Sequence, residues 1–495
     1  MIHYPAGLMP ASSTKKKTKR STASKSSPTK RRSTPAKSAP KAPAITNYTT
    51  AMKWLFDLAD HEKQRLVKYD DKSFSLNRMR KLLKQLGDPQ DQLKCVQIVG
   101  TKGKGSTCAM LASTLDACGY TVGLYTSPHL IDIRERITIN GSLISYPDAA
   151  DVIKQVATAA ASIRGEGPTF FEALTAAALL YFADQAVDIA VLETGLGGRL
   201  DSVSAISPLL IGMTQISLDH THLLGDTVQE IAAEKAGAFK PEVPVISVQQ
   251  EKPVVQVLKD KAEEVGCPIQ FTGPDIDFSY RFEANRELGP HTRVCLTTPR
   301  SKYEHLAVPL KGEHQALNCG LALALLDGLK QFDFVAEESD VMRGLTQTEL
   351  HGRLEQVHDT PRVLIDGAHN PASLQGLIKS LGAHYQYDSL VMIFGCAADK
   401  QVDAMLKQVS LGADKVIFTK ARTSPRALEA DDLMRRFSEV SGKMAQTCTT
   451  LEQALRTAAR AVSREDLIIV TGSFYLAGEA RKFFIDAKAK QAKAS

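Results

Sequence analysis

Seven consecutive residues are the strongest candidates for phosphate chemistry: Gly100, Thr101, Lys102, Gly103, Lys104, Gly105 and Ser106. Glycines let backbone amides converge on phosphate oxygens, and the N-terminus of a following helix attracts anions. The run follows an apolar, strand-like segment and precedes a helix-like one, which favours nucleotide binding. Lys104 is expected to neutralise the terminal phosphates. The general phosphate-loop pattern ends in Gly-Lys-Ser/Thr, whereas here Gly105 separates Lys104 from Ser106.

Two ionisable residues follow the next predicted strands. Glu193 falls at the C-terminal end of an apolar segment, where a carboxylate is costly to bury unless it binds a cation. Magnesium accompanying nucleotide phosphates is the natural cation there. His220 is expected to end the following strand, a position at which a histidine taken alone is more often structural than catalytic.

Three further residues draw attention by their position. Lys235 lies 15 residues after His220 in a predicted helix, and by residue type alone it would be an ordinary surface lysine. Asp366 and His369 directly follow a short apolar strand, in a loop too polar and rich in glycine for core packing.

The elements that must position these residues alternate between apolar β segments and helical segments. Strands are predicted at 93–99, 186–192 and 209–216, and helices at 48–87, 106–118, 171–183 and 228–236. Such alternation predicts an α/β fold with a largely parallel sheet covered by helices on both faces. Shorter, more polar segments at 278–284 and 294–298 predict an antiparallel appendage, followed by a helix at 315–330.

A domain junction is predicted at 346–352. Beyond it, strands at 363–365, 390–394, 415–419 and 467–470 predict a second, smaller α/β domain. The chain is therefore divided into a tail (1–46), an ATP-binding domain (47–346) and a C-terminal domain (347–495), a division consistent with its length of 495 residues.

Charge is distributed unevenly along the chain. The first 50 residues contain 11 Lys and Arg and no Asp or Glu, which leaves a net charge of −5 on the rest. The Ser, Thr, Pro and Ala of this tail cannot bury apolar surface, so disorder is expected. A dispensable extension, a nucleic-acid-binding arm and a transit peptide all remain open for it. The composition predicts a protein without a membrane span, and eight scattered cysteines predict a reducing, cytoplasmic location with buried, inert thiols.

A series of motifs resembles the folylpolyglutamate synthase/dihydrofolate synthase family of the Mur ligase superfamily. The phosphate loop itself is similar to that family's GTxGKGS. Further similar motifs follow in family order: TSPHL (126–130), RERI (134–137), TFFEALT (169–175), LETGLGGRLDS (192–202), LDHTHLLGDT (218–227), AEKAGAFK (233–240), HQALN (314–318), HGRLE (351–355), DGAHNP (366–371), FGCAADK (394–400) and GSFYLAGE (472–479). The resemblance covers residues 50–480 and implies a P-loop, Mur-ligase-like ATPase domain with a smaller Rossmann-like C-terminal domain.

The resemblance also implies roles for single residues. Ser127, Glu193, His220 and Lys235 would hold magnesium, with Lys235 carbamylated so that its ammonium becomes a carboxylate. Asn318, Arg353, Asp366 and His369 would contact ATP, and Lys104, His220 and Lys235 would act in catalysis. Thr169 and Leu200 resemble pterin-contacting positions, but residues 67–74 lack the Asp-Leu-Gly-Leu-like loop of bifunctional bacterial members.

The implied reaction is the ATP-dependent ligation of L-glutamate to a folate by a monomeric enzyme. Tetrahydrofolate and dihydropteroate both stay open as acceptors. A Mur-type ligase of cell-wall precursors and a nucleotide-dependent nucleic-acid-binding protein are the remaining alternatives.

Overall fold

The computed structural model describes residues 44–59, 74–163, 165–285 and 289–494, all of which belong to one compact unit. Most of the basic tail, and residues 60–73 of the predicted first helix, lie outside the described residues. Ile45, which the sequence analysis places in the tail, is only 5% exposed and packs in the hydrophobic core, so that boundary was too late.

The first half of the chain builds an eight-stranded sheet with helices on its faces. Its elements are α1 (Tyr48–Phe56), α2 (Leu76–Gln85), β1 (Cys95–Val99), α3 (Lys104–Ala117), β2 (Val122–Tyr125), β3 (Ile137–Ile139), β4 (Ser142–Leu143), α4 (Tyr146–Ser162), α5 (Phe170–Asp184), β5 (Ile189–Glu193), β6 (Leu210–Met213), α6 (Thr221–Leu224), α7 (Val228–Ala236), β7 (Val245–Ser247), α8 (Lys252–Val265) and β8 (Ile269–Phe271).

The strand order is β4-β3-β2-β5-β1-β6-β7-β8. The six strands β2, β5, β1, β6, β7 and β8 pair in parallel, in that spatial order. Strands β3 and β4 extend the sheet beyond β2 as an antiparallel edge. The central strands β1, β5 and β6 are buried along their whole length, as expected for a parallel sheet covered on both faces. Their carboxyl ends meet at one edge, where the phosphate loop and Glu193 lie.

A three-stranded antiparallel sheet and two helices follow. They are β9 (Asp277–Asn285), β10 (Gly289–Thr297), β11 (Lys302–Val308), α9 (Glu313–Leu329) and α10 (Glu338–Gln347). Helix α9 is buried at nearly every position from Gln315 onward, because it packs between this small sheet, β6 and α3. The predicted antiparallel appendage is thereby confirmed.

The second half builds a separate six-stranded sheet. Its elements are β12 (Glu355–Asp359), β13 (Arg362–Ile365), α11 (Pro371–His384), β14 (Leu390–Phe394), α12 (Val402–Gly412), β15 (Lys415–Phe418), α13 (Ala430–Val440), β16 (Ala445–Thr447), α14 (Leu451–Arg460), β17 (Leu467–Thr471) and α15 (Phe474–Ala494). The order is β12-β13-β17-β14-β15-β16, parallel except for β12. The predicted α/β class is confirmed in both sheets.

Two predicted elements differ from the structure. The helix predicted at 48–87 is not continuous, because α1 ends at Phe56 and α2 begins only after the N-cap Ser75. The strand predicted at 209–216 stops at Met213, since the carbonyl of Gln215 turns away to accept hydrogen bonds from the phosphate loop. His220 therefore does not end a strand. It lies seven residues beyond β6, in the left-handed backbone region with φ of 50°.

Candidate active site

The phosphate loop, residues 100–106, joins β1 to the N-terminus of α3. Gly103 is the N-cap of α3 with φ of 89°, and a Cβ there would lie 2.1 Å from Oδ1 of Asn318 in α9. Both the left-handed backbone and the close approach of Asn318 therefore require glycine. Asn318, predicted to contact nucleotide, thus lies directly beside the loop.

The loop rests on the segment that follows β6. The N–H groups of Thr101 and Lys102 donate to the carbonyl of Gln215 at 2.9 and 3.2 Å, and Thr101 Oγ1 bonds the backbone of Ser217. A Cβ on Gly100 would clash with Thr214 at 1.8 Å. These contacts hold the loop's conformation in place before any ligand binds.

Two lysines of the loop have different partners. Lys102 Nζ lies 2.6 Å from Oδ2 of Asp219, whereas Lys104 Nζ donates to the carbonyls of Gly100 and Thr101 at 3.1 and 3.4 Å. Burial lowers the pKa of Lys102. Burial by itself would raise the pKa of the Asp219 carboxyl, but Lys102 and His220 hold that pKa well below the usual range. Lys104, with neutral carbonyl partners, is the lysine that can turn toward a phosphate.

Glu193 and Ser127 lie together at the start of α3. Glu193 is the last residue of β5, is 4% exposed, and accepts a hydrogen bond at Oε2 from the Ser127 N–H at 2.9 Å. A Cβ on Gly105 would lie 3.4 Å from the same oxygen, so the carboxylate borders the phosphate loop. Burial raises the pKa of Glu193, against the influence of Lys104. A buried carboxylate beside a phosphate site fits magnesium.

Lys235 is buried beneath the phosphate loop, contrary to the surface position that its residue type alone indicates. It is 4% exposed, and its Nζ donates to the carbonyl of Gly100 at 2.8 Å. Burial, assisted by Lys104, lowers the pKa of Lys235 well below its ordinary value. The amine is thereby biased toward its neutral, nucleophilic form.

His220 is less integrated into the site than predicted. It is exposed at the N-terminus of α6, and its N–H donates to Oδ1 of Asp219. Partial desolvation and the nearby cations lower its pKa to about 4, although Asp219 opposes them. Across the described ranges, three or more His, Cys, Asp or Glu side chains nowhere come together as a preformed metal cluster. The structure thus joins Ser127 to Glu193 and Lys235 to the phosphate loop, and the full ligand set stays a prediction.

The predicted nucleotide contacts of the second half surround one aromatic ring. The Arg353 guanidinium lies 4.3 Å from the centroid of Phe474, and the His369 ring lies 5.6 Å from it. Asp366 accepts hydrogen bonds from the N–H groups of Leu354 and Ala368 at 3.0 and 2.8 Å. Burial lowers the pKa of Arg353, raises that of Asp366 and lowers that of His369 to about 3.

Charges from the second half reach the phosphate loop. His369 and Lys400 act electrostatically on Lys102 and Asp219, and Arg353 acts on Glu193. Lys400 was not among the predicted site residues. Its signal was available, since it is the basic residue that ends FGCAADK just after β14.

The two halves also meet at the beginning of α9. The N–H of Gly312 donates to His384 Nε2 at 2.8 Å, and Lys311 Nζ donates to Tyr385 Oη at 2.7 Å. These bonds join the segment that leads into α9 to the end of α11.

The predicted pterin contacts are both buried. Thr169 is the N-cap of α5 and forms a capping box with Glu172, which in turn binds Arg78 Nε at 2.7 Å. Leu200 lies in the loop after β5. Their contact with a pterin stays a prediction, and residues 67–73 lie outside the described residues.

The cysteines only partly match the expectation of buried thiols. Five are buried, whereas Cys118, Cys295 and Cys448 are half-buried, and each of the eight is a free thiol. No helix within the part of the chain that the structure describes has the length and apolarity of a membrane span.

Comparison with known proteins yields two family matches. Residues 98–326 match the Mur ligase middle domain, and residues 352–474 match the Mur ligase glutamate ligase domain.

Whole-chain relatives agree with these matches. The dihydrofolate synthase/folylpolyglutamate synthase of Bacillus subtilis is 33% identical over 412 residues, which cover 82% of this chain and 94% of the relative. The folylpolyglutamate synthase of Lacticaseibacillus casei is 32% identical, covering 89% of this chain and the whole relative. The dihydrofolate synthetase of Saccharomyces cerevisiae is 31% identical, covering 82% and 96%. Among solved structures, Mycobacterium tuberculosis folylpolyglutamate synthase complexed with ADP and AMPPCP gives a TM-score of 0.77 at 32% identity, covering 83% of this chain and 95% of that one.

Proposed function

The chain belongs to the folylpolyglutamate synthase/dihydrofolate synthase family of the Mur ligase superfamily, and we propose that it ligates L-glutamate to a folate carboxylate at the expense of ATP. The observation that carries the proposal is the phosphate loop with the buried carboxylate of Glu193 at its border. A loop of this kind binds nucleotide phosphates, and the carboxylate supplies a ligand for the accompanying cation.

The reaction proceeds in two steps. The γ-carboxylate of the folate attacks the terminal phosphorus of ATP, giving an acyl phosphate and ADP. The amine of L-glutamate then attacks the acyl carbon, the amide bond forms, and inorganic phosphate leaves. Lys104 moves from the carbonyls of Gly100 and Thr101 to the transferring phosphoryl group and offsets its charge.

Magnesium, held by Glu193 with Ser127, His220 and a modified Lys235, would polarise the phosphoryl oxygens when bound. Lys235 supports this role because its burial favours the neutral amine, which is the form that adds carbon dioxide to become a carbamate. A free ammonium beneath the loop would repel the cation, whereas a carbamate supplies two oxygen ligands.

The second half supplies charge and excludes water. Arg353 on the Phe474 ring, with His369 and Lys400, would contact the nucleotide, and Arg353 and Lys400 would bring positive charge to the phosphates. Closing the two halves on the acyl phosphate protects it from hydrolysis. We assign this activity to a monomeric protein of the cytoplasm. Size-exclusion chromatography with light scattering would test the oligomeric state.

Dihydropteroate is the second candidate acceptor, because relatives covered almost completely by this chain carry the name dihydrofolate synthase or synthetase. The same ligation chemistry serves both acceptors, since each presents a carboxylate to ATP and receives an amine.

An ADP-release panel tests the proposal. Purified full-length protein receives ATP, magnesium and L-glutamate with tetrahydrofolate, with dihydropteroate, with a UDP-linked cell-wall precursor, with nucleic acid, or with no acceptor. We expect ADP release with a folate-type acceptor and a matching mass increase of the product by one glutamate residue. Release only with the UDP-linked precursor or only with nucleic acid would overturn the proposed function.

A further inference from the structure

A small cavity opens on the outer face of the three-stranded sheet. Its volume is about 130 Å³, and it is lined by Ser279, Tyr280, Arg281, Arg293, Cys295 and His305. The opposite face of the same sheet carries Val294, Leu296 and Leu306, which are buried in the core of the first half. The cavity therefore lies on the face of the sheet opposite to this core.

A thiol and an imidazole meet in this cavity. Cys295 Sγ lies 3.6 Å from His305 Nδ1, and the N–H of His305 donates to the same sulfur at 3.3 Å. The pair exists because the pairing of β10 with β11 shifts register between Val294 and Leu296, and His305 adopts a φ of 60°. The sulfur therefore has a backbone amide and an imidazole nitrogen as neighbours, and an adjacent imidazole can take the proton of a thiol as it attacks.

Two arginines share the cavity with the sulfur. Arg281 and Arg293 line the cavity, and each forms an ion pair with Glu283, at 2.5 and 2.8 Å. Glu283 offsets only one of the two positive charges. The surroundings of the thiol are therefore cationic, which favours anionic reactants over cationic ones.

The other half-buried cysteines lack these surroundings. Cys448 Sγ has a hydroxyl partner, Thr457 Oγ1, at 3.8 Å, and burial raises the pKa of Cys118 to about 11. Cys448 is the matched control, because it is also half-buried but has no imidazole partner at its sulfur among the described residues.

We propose that Cys295 is a modification site that captures anionic low-molecular-weight disulfides by thiol–disulfide exchange. The Cys295 thiol gives its proton to His305 Nδ1, and the thiolate attacks one sulfur of the disulfide. The bond from Cys295 to that sulfur forms, the disulfide bond of the reactant breaks, and the departing thiolate takes the proton from His305. The products are a mixed disulfide at Cys295 and one free low-molecular-weight thiol, and no further oxidant is needed.

The test uses full-length protein and two disulfides of opposite charge. Glutathione disulfide supplies carboxylates for Arg281 and Arg293, and cystamine supplies ammonium groups. The rate of adduct formation at each cysteine is followed by peptide mass spectrometry after acid quenching. We expect Cys295 to react with glutathione disulfide about tenfold faster than Cys448 does, a difference of about 1.4 kcal/mol in the barrier.

Two variants complete the experiment. Cys295→Ser should remove the fast adduct and leave the Cys448 adduct unchanged. Arg281→Gln with Arg293→Gln should slow glutathione disulfide while sparing or accelerating cystamine, since Glu283 then loses both of its arginine partners. Equal rates at Cys295 and Cys448, or no dependence on disulfide charge, would overturn the proposal. Either result is independent of the ligase activity.

Discussion

The two halves of the molecule hold the residues of the candidate site in different ways. On the first half, Lys104 and Lys235 donate to the same carbonyl, that of Gly100, and the phosphate loop is bonded to the segment after β6. On the second half, Arg353 and His369 are held by local contacts around Phe474.

This difference separates two kinds of contribution. Groups of the first half are fixed by one parallel sheet, so their distances to a bound phosphate are set before the ligand arrives. Groups of the second half reach the same phosphates only through the placement of a separate sheet. Substitutions of the charged side chains on the first half should therefore act mainly on the chemical step, and those on the second mainly on nucleotide affinity.

The largest effect is expected for Lys235→Ala, which should lower ligation at least about a thousandfold, as loss of a charged group at the phosphoryl site does. Lys235→Arg should fail equally, because a guanidinium cannot carry a carbamate. Acetate should partly restore Lys235→Ala by occupying the vacated space. ADP release measures all three, and an active Lys235→Arg would contradict the assigned role.

Lys104→Ala should lower kcat about a hundredfold, since one strong electrostatic contact to the transferring phosphoryl group is lost. The fold should survive, because Lys104 is bonded only to carbonyls of its own loop among the described contacts. Steady-state kinetics with circular dichroism as the folding control would check this. Turnover near that of the unaltered protein would remove Lys104 from the mechanism.

Gly103→Ala tests whether the loop must be preformed. Its Cβ would meet Asn318 at 2.1 Å, so we expect nucleotide binding to weaken between about tenfold and a hundredfold. Gly119→Ala is the matched control, because its φ of 93° is similar but no atom lies within 4 Å of the added Cβ. Both should lose about 1–2 kcal/mol of stability from the left-handed backbone. Equal nucleotide affinities in calorimetry would show that the approach of Asn318 does not matter.

Arg353→Ala should raise the KM for ATP about tenfold with a smaller change in kcat, as expected for one charge-assisted contact. Arg436→Ala is a suitable control, since Arg436 pairs with Asp403 on the surface of the same half. A fall in kcat larger than the rise in KM would contradict the claim that the second half acts mainly on nucleotide affinity.

The smallest effect concerns the tail. Deleting residues 1–43 should leave ligation unchanged, whereas deletion through residue 46 should also cost about 1–3 kcal/mol of stability by removing the buried Ile45. Thermal unfolding and ADP release separate the two truncations. If the tail binds nucleic acid, salt-sensitive DNA retention should disappear with residues 1–43.

The sequence predicted most of the architecture because its strands and helices carry strong local signals. Helix α7 begins and ends at the predicted residues, 228 and 236, and Glu193 closes β5 as expected. The errors arise where long-range contacts override local preference. Gln215 leaves its strand to bond the phosphate loop, and residue type alone did not indicate the burial of Lys235, which only the family resemblance assigned to the site.

A site residue could be predicted from the sequence when the motif around it indicates its chemistry by residue type alone. The phosphate loop needs only glycines and a lysine at a strand–helix junction, so residue types suffice to find it. Lys400 could be located from its motif, FGCAADK, but its action on the phosphate loop depends on the spatial relation between two sheets, which no local pattern contains.

Helix α9 has a mechanical consequence for the whole molecule. Its first turn follows Gly312, whose N–H is held by His384 of the second half, and Asn318 lies six residues further along, beside Gly103. Six residues of α-helix span about 9 Å, and the backbone hydrogen bonds of the helix keep that length nearly constant. A displacement of the second half at His384 would therefore be passed along α9 to the rim of the phosphate loop.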